Sequence, residues 1–198
     1  MQMLWKIANY SKITGMKPVL FYMIGYPGAG KTTLASRLSY WLNIEHLRGD
    51  KIGIELFRFP TFSQEERSIV YSEMARRAGQ HLRNGKHVIY DAAVNTIAQR
   101  DTLDALAERN GGIAVGIWVQ VPTELAKKRA GTARSDGITG AVVRVIPSHI
   151  FDQYVQAFQE PEQHERIIYI SGHAPFPLQY RRLLRQVRIR GRNMPRLV

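Results

Sequence analysis

The chain of 198 residues contains no cysteine. That excludes disulfides and thiolate-held metals, and it suits a reducing compartment, so the cytoplasm is the expected location. Long apolar runs are missing as well. No stretch approaches the roughly 20 residues that cross a bilayer. Residues 1–17, an expected N-terminal extension, lack the apolar centre of a secretory signal. Repeats and low-complexity linkers are absent. Acids are scarce: 16 Asp and Glu stand against 28 Lys and Arg, for a formal net charge of +12. After Glu165 there is no acid at all, and the eight basic residues that follow are all arginine. Arginine forks bind phosphate bidentately, so a nucleic acid or other polyanion is one expected partner for a basic tail over residues 180–198. A solvated basic helix is the other reading, because charge alone names no ligand.

What is present centres on Gly25-Tyr26-Pro27-Gly28-Ala29-Gly30-Lys31-Thr32. It fits G-x-x-x-x-G-K-[ST], a phosphate-binding loop. Residues 19–24 before it form an unbroken apolar run, as suits a strand buried on both faces. After it, Leu34, Leu38, Trp41 and Leu42 recur at helical spacing. Strand, glycine loop and helix is the order this motif requires. Glycines let successive N–H groups curl inward around an anion, and the helix N-terminus adds roughly half a positive charge. The expected cradle is Gly25, Pro27, Gly28, Ala29, Gly30, Lys31, Thr32 and Thr33. In it, Lys31 reaches the outer phosphates and the Thr32 hydroxyl ligates Mg²⁺.

The rest alternates strand and helix. Residues 44–47 read as a second strand, ending at Arg48-Gly49-Asp50, with a loop through Phe57-Arg58-Phe59-Pro60. Ser63-x-x-Glu66 caps a long helix whose stripe is Ile69, Val70, Met74, Ala78 and Leu82, ending at Asn84-Gly85. Residues 87–91 are a third strand ending in Asp91, and Thr96-x-x-Gln99 caps the next helix. Residues 113–121 are a fourth strand, and Pro122 opens a helix. Residues 131–146 are rich in Gly and Thr and carry arginines. Pro147-Ser148 starts a helix with Ile150, Phe151, Tyr154, Val155 and Phe158 on one face, ended by Pro161. Residues 166–170 are a fifth strand; beyond it, helix and strand patterns compete. Five apolar strands with helical crossovers predict a three-layer α/β/α domain over residues 18–179, a P-loop NTPase or kinase fold with a five-stranded parallel sheet and a helical lid near 122–146. Ligands then bind beyond the carboxyl ends of the strands, where the glycine loop, Asp50 and Asp91 should meet.

Phosphoryl transfer needs a phosphate cradle, a metal, an oriented acceptor and positive charge on the moving group. Asp50 or Asp91 can hold the metal or its waters, or accept the acceptor's proton. Arg129 and Arg134 follow the fourth strand, where a lid can carry them onto the phosphates. Each has a plainer reading: a loop acid beside Arg48 and Lys51, a turn cap, a solvated helix charge.

Together these residues resemble the P-loop kinases that include polynucleotide 5′-hydroxyl kinases and the related zeta-toxin and small-metabolite kinases. The resemblance runs from about residue 19 to 170. It implies ATP and Mg²⁺ as cofactors and transfer of the γ-phosphate to a hydroxyl. It further implies Asp50 as general base and Val88-Ile89-Tyr90-Asp91-Ala92 as the element placing acceptor or metal. Arg134 becomes the catalytic lid arginine, and Arg129 flanks the nucleotide. One departure concerns the acceptor. Polynucleotide kinases show Asp-x-x-Arg after the second strand, and here Gly53 stands at the arginine position. Arg48, Lys51 or Arg58 are the substitutes. Asn95 and Arg100, just past Asp91, are further acceptor contacts, with helix-cap and surface roles as the alternative. Three activities remain open: a kinase for nucleic-acid 5′ ends, a small-metabolite kinase, and a nucleotide-dependent switch that binds RNA or protein. No N/T-K-x-D signature points to guanine.

Overall fold

The computed structural model describes residues 17–57, 63–132, 134, 135, 142, 143 and 145–192. The N-terminal extension apart from Lys17, residues 58–60 of the expected loop, residues 133, 136–141 and 144 of the lid, and residues 193–198 of the tail lie outside them. Strands β1 (Val19–Ile24), β2 (Glu45–Arg48), β3 (Val88–Ala93), β4 (Ile113–Gln120) and β7 (Ile167–Ser171) form one sheet in the order β2-β3-β1-β4-β7. Every pairing in it is parallel. The helices are α1 (Lys31–Leu42), α2 (Gly49–Leu56), α3 (Gln64–Arg83), α4 (Ile97–Arg109), α5 (Thr123–Ala130), α6 (Ser148–Gln156) and α7 (Phe176–Arg192). A two-residue hairpin, β5 (Arg134–Ser135) with β6 (Val142–Val143), sits between α5 and α6.

Alternation along the strands divides the core. Phe21 and Met23 of β1 face Leu34 and Leu38 of α1 and Leu183 and Val187 of α7. Leu20, Tyr22 and Ile24 face Met74 and Leu82 of α3 and Leu103 of α4. This is the expected three-layer arrangement, a sheet buried on both faces by its crossover helices. Among the described residues, no helix is long and apolar enough to cross a membrane.

Four local expectations change. Residues 49–56 form a helix rather than a loop. Two glycines disfavour it by about 1 kcal/mol each, but they let α2 lie close on α3. A Cβ at Gly49 would stand 3.3 Å from Met74 Sδ, and Ile52 is buried. Ile69 leaves the α3 stripe and is 51% exposed, because the stripe turns about the helix axis. Helix α6 stops at Gln156, five residues before Pro161. The ambiguous segment after β7 is helical, and Tyr180, Leu183 and Val187 lock it into the core. Position 180 therefore falls inside a core helix and does not begin a separable tail.

Candidate functional site

The glycine loop is built as its sequence requires. Gly25, Gly28 and Gly30 have φ of 133°, 82° and 99°, values that side-chain-bearing residues rarely adopt. Gly28 is also pressed onto α5, where a Cβ would lie 2.2 Å from the Ala126 carbonyl oxygen. Gly30 caps α1 without any side-chain bond, and no acid occupies the first turn. The first amides of α1 are thus left to an anion. Ala29 is buried. Lys31 Nζ donates to the carbonyls of Gly25 at 2.7 Å and Tyr26 at 2.9 Å, so its ammonium is held over the loop. Burial lowers its pKa to about 8, with the Asp91 charge opposing that fall. Tyr26 packs on Phe158 and Phe151, with ring centroids 5.1 and 5.9 Å apart, which ties the loop to α6.

Asp91 is inside β3, not past its end, and it is buried. The β1–β3 register shifts between Tyr90 and Ala93, so Asp91 sits in a bulge beside the loop. Thr32 Oγ1 donates to Asp91 Oδ1 at 3.3 Å, and His46 Nε2 lies 2.9 Å from Asp91 Oδ2. The expected metal pair, Thr32 and Asp91, is therefore brought together. The described residues include no cluster of three His, Asp or Glu able to hold an ion alone. A hydroxyl and one carboxylate suit Mg²⁺, which keeps most of its waters and takes its other ligands from phosphates. The sequence reading missed His46. The available signal was a polar residue two positions before Arg48, on the same face of the strand.

Asp50 lies in the first turn of α2 and is exposed. Arg48 grips it with two bonds, Nε to Oδ1 at 3.0 Å and a terminal nitrogen to Oδ2 at 2.7 Å, and the Lys51 amide adds a third at 2.9 Å. Partial desolvation at the cavity wall pushes the carboxyl up, but those bonds and the Arg48 charge outweigh it and hold the pKa below the usual carboxylate range. Asp50 and Asp91 line one cavity of about 250 Å³ with Phe57, Val70, Tyr71 and Tyr154. Thr33 is exposed near the start of α1, and Arg129 is half-buried in the last turn of α5. The backbone of Arg134 pairs with Val143; its side chain lies outside the described residues, as does Arg58.

Two expected acceptor contacts are corrected. Asn95 is buried and serves the loop itself: its Oδ1 accepts from the Gly25 amide at 3.0 Å, and its Nδ2 donates to the Gly25 carbonyl at 3.4 Å. Arg100 is fully buried, with Nε 2.5 Å from Glu165 and further bonds to Glu165 and to the carbonyls of Gln159 and Glu160. Polar residues after a strand look like ligand contacts in a sequence; here they close the fold. Arg100→Met should destabilise the protein by about 3 kcal/mol, because Glu165 is left buried and unpaired. Urea denaturation reads this, and an unchanged midpoint would contradict it.

A five-stranded parallel sheet with a glycine loop opening α1 is the fold of the P-loop kinases. A family model described as an AAA domain matches residues 20–161, and the chain belongs to that family. A gluconokinase from Sinorhizobium meliloti shares the fold at TM-score 0.63 and 14% identity, over 90% of this chain and 95% of that one. A sugar kinase from Janibacter does so at 0.63 and 17%, over 89% and 97%. The APS kinase of Mycobacterium tuberculosis, determined with AMPPNP and APS, does so at 0.63 and 17%, over 87% and 98%. No curated protein matches the chain in sequence.

Proposed function

We propose that this protein moves the γ-phosphoryl group of ATP, with Mg²⁺, to a hydroxyl of a small acceptor. One observation carries the reading: Asp91 is bonded to Thr32 at the glycine loop and also lines the cavity that holds Asp50. Donor site and acceptor cavity thus share a wall. The loop amides and Lys31 hold the phosphates, and Thr32 with Asp91 holds the metal. When bound, Mg²⁺ neutralises charge developing on the phosphates. Arg129, and Arg134 from the hairpin, are the lid cations of this reading. Asp50 orients the acceptor hydroxyl and takes its proton. A carboxylate held low by Arg48 is a weak base, yet it suffices, since the transition state is loose and the proton leaves late. Arg48 then steadies the base and does not grip the acceptor.

Arg181, Arg182 and Arg185 of α7 do not line this cavity. They are exposed on a helix packed against β7, at the opposite edge of the sheet from β2. A nucleic-acid 5′ end would enter the cavity without their help, which favours a small acceptor. The test is incubation with γ-labelled ATP and Mg²⁺ against nucleosides, aromatic alcohols, sugars, sugar acids and 5′-hydroxyl oligonucleotides. Label should enter a small alcohol. Release of inorganic phosphate alone, with nucleotide-dependent binding of RNA or protein, would point instead to a switch.

A further inference from the structure

The acceptor cavity, whose role rests on the kinase reading of the same site, has a character of its own. Three carboxylates line it, Asp50 and Asp91 at the reactive end and Glu66 beside Arg67. Its walls are rings and aliphatic surface: Phe57, Val70, Tyr71 and Tyr154. Arg67 is the one cation among the described lining residues. Arg67 and Tyr154 also line a second cavity of about 540 Å³, which continues outward over Ile146, Pro147 and Ile150. The two hollows adjoin at Arg67 and Tyr154; the first carries the carboxylates, and the second is lined mainly by apolar side chains.

From this we infer that the acceptor is an alcohol carried on a flat aromatic body, long enough to pass Arg67 and Tyr154, and not a polyol or sugar acid. A polyol brings several hydroxyls, and each one buried against rings without a partner loses its hydrogen bonds to water. A sugar acid brings a carboxylate to an end already occupied by two others, which is repulsive at short range. An aromatic body loses neither. Its face stacks on Tyr71, Tyr154 or Phe57, as bases do on aromatic platforms. Its single hydroxyl is presented to Asp50. The outer apolar hollow takes the remainder of the molecule.

Equilibrium binding without ATP tests this separately from transfer. Isothermal titration calorimetry on the full chain would use 2-(2-naphthyl)ethanol and adenosine as aromatic alcohols, with glucose and gluconate as counterparts. The aromatic pair should bind, and glucose and gluconate should not saturate. Tyr154→Ala should weaken aromatic binding about tenfold, while Tyr154→Phe keeps it, since the ring and not the hydroxyl carries the contact. Retained thermal unfolding of Tyr154→Ala rules out collapse, and Phe57→Ala offers a second position with the same expected loss. Tighter binding of glucose or gluconate, or an unchanged affinity in both alanine variants, would overturn the inference. Aromatic alcohols that bind but accept no label would uphold the cavity's preference for aromatic ligands and overturn both their role as acceptors and the kinase reading. A labelled sugar with no aromatic binding would overturn that preference and uphold the kinase reading.

Discussion

Lys31→Ala should lower phosphoryl transfer by about 10³-fold, as loss of a charge aimed at the transition state does. The fold should survive the change. Among the described residues the Lys31 ammonium bonds only to loop carbonyls, and burial already disfavours its charged form. The wild-type side chain also predicts a pH dependence. With a pKa of about 8 in the free site, Lys31 is charged below pH 8 and neutral above it. A triphosphate stabilises the ammonium, so binding favours the protonated state and raises the pKa. ATP affinity should then be flat below pH 8. Above it, affinity should fall by up to about tenfold per pH unit until the raised pKa is reached. Lys31→Met should remove that slope. Calorimetric titration between pH 7 and 9.5 checks both, and a flat wild-type profile would contradict the placement of Lys31 against phosphate.

Asp91→Asn should have the second largest effect. The amide keeps the size of the side chain and can still meet Thr32, but the negative charge is gone. The rate at saturating ATP should fall about 100-fold, and the advantage that Mg²⁺ gives to nucleotide binding should shrink in step. His46→Leu should move the same two quantities in the same direction by less, since His46 only steadies the far oxygen of Asp91. Nucleotide affinity without metal should be unchanged in His46→Leu and should not fall in Asp91→Asn, which removes a carboxylate that repels the triphosphate. A variant at Asp91 whose Mg²⁺ response matches the parent would remove this residue from the metal site.

The parts of this molecule that are legible in its sequence are those whose signals are local. Residues 19–42 announce strand, loop and helix, because an apolar run, three glycines and a helical stripe follow each other without interruption. The N-cap at Ser63 and the capping box at Thr96 start their helices where the sequence says. Helix α2 is illegible because Gly49 and Gly53 argue against a helix, and only packing on α3 overrides them. Asn95 and Arg100 mislead for a related reason. Their partners, Gly25 and Glu165, lie about 70 positions away, so a structural role looks like a ligand contact. The acceptor cavity is hidden entirely. Asp50, Tyr71, Asp91 and Tyr154 come from four separate elements and meet only when the sheet has formed.

The account stands most directly on one structure: a crystal of the protein grown with AMPPNP and Mg²⁺. The triphosphate should lie in the curve of residues 25–32, with the amides of Gly28, Gly30 and Lys31 on its oxygens. Lys31 Nζ should have left the Gly25 and Tyr26 carbonyls for the phosphates, with the metal between Thr32 and Asp91. Nucleotide seated elsewhere, with Lys31 still tied to those carbonyls, would contradict it.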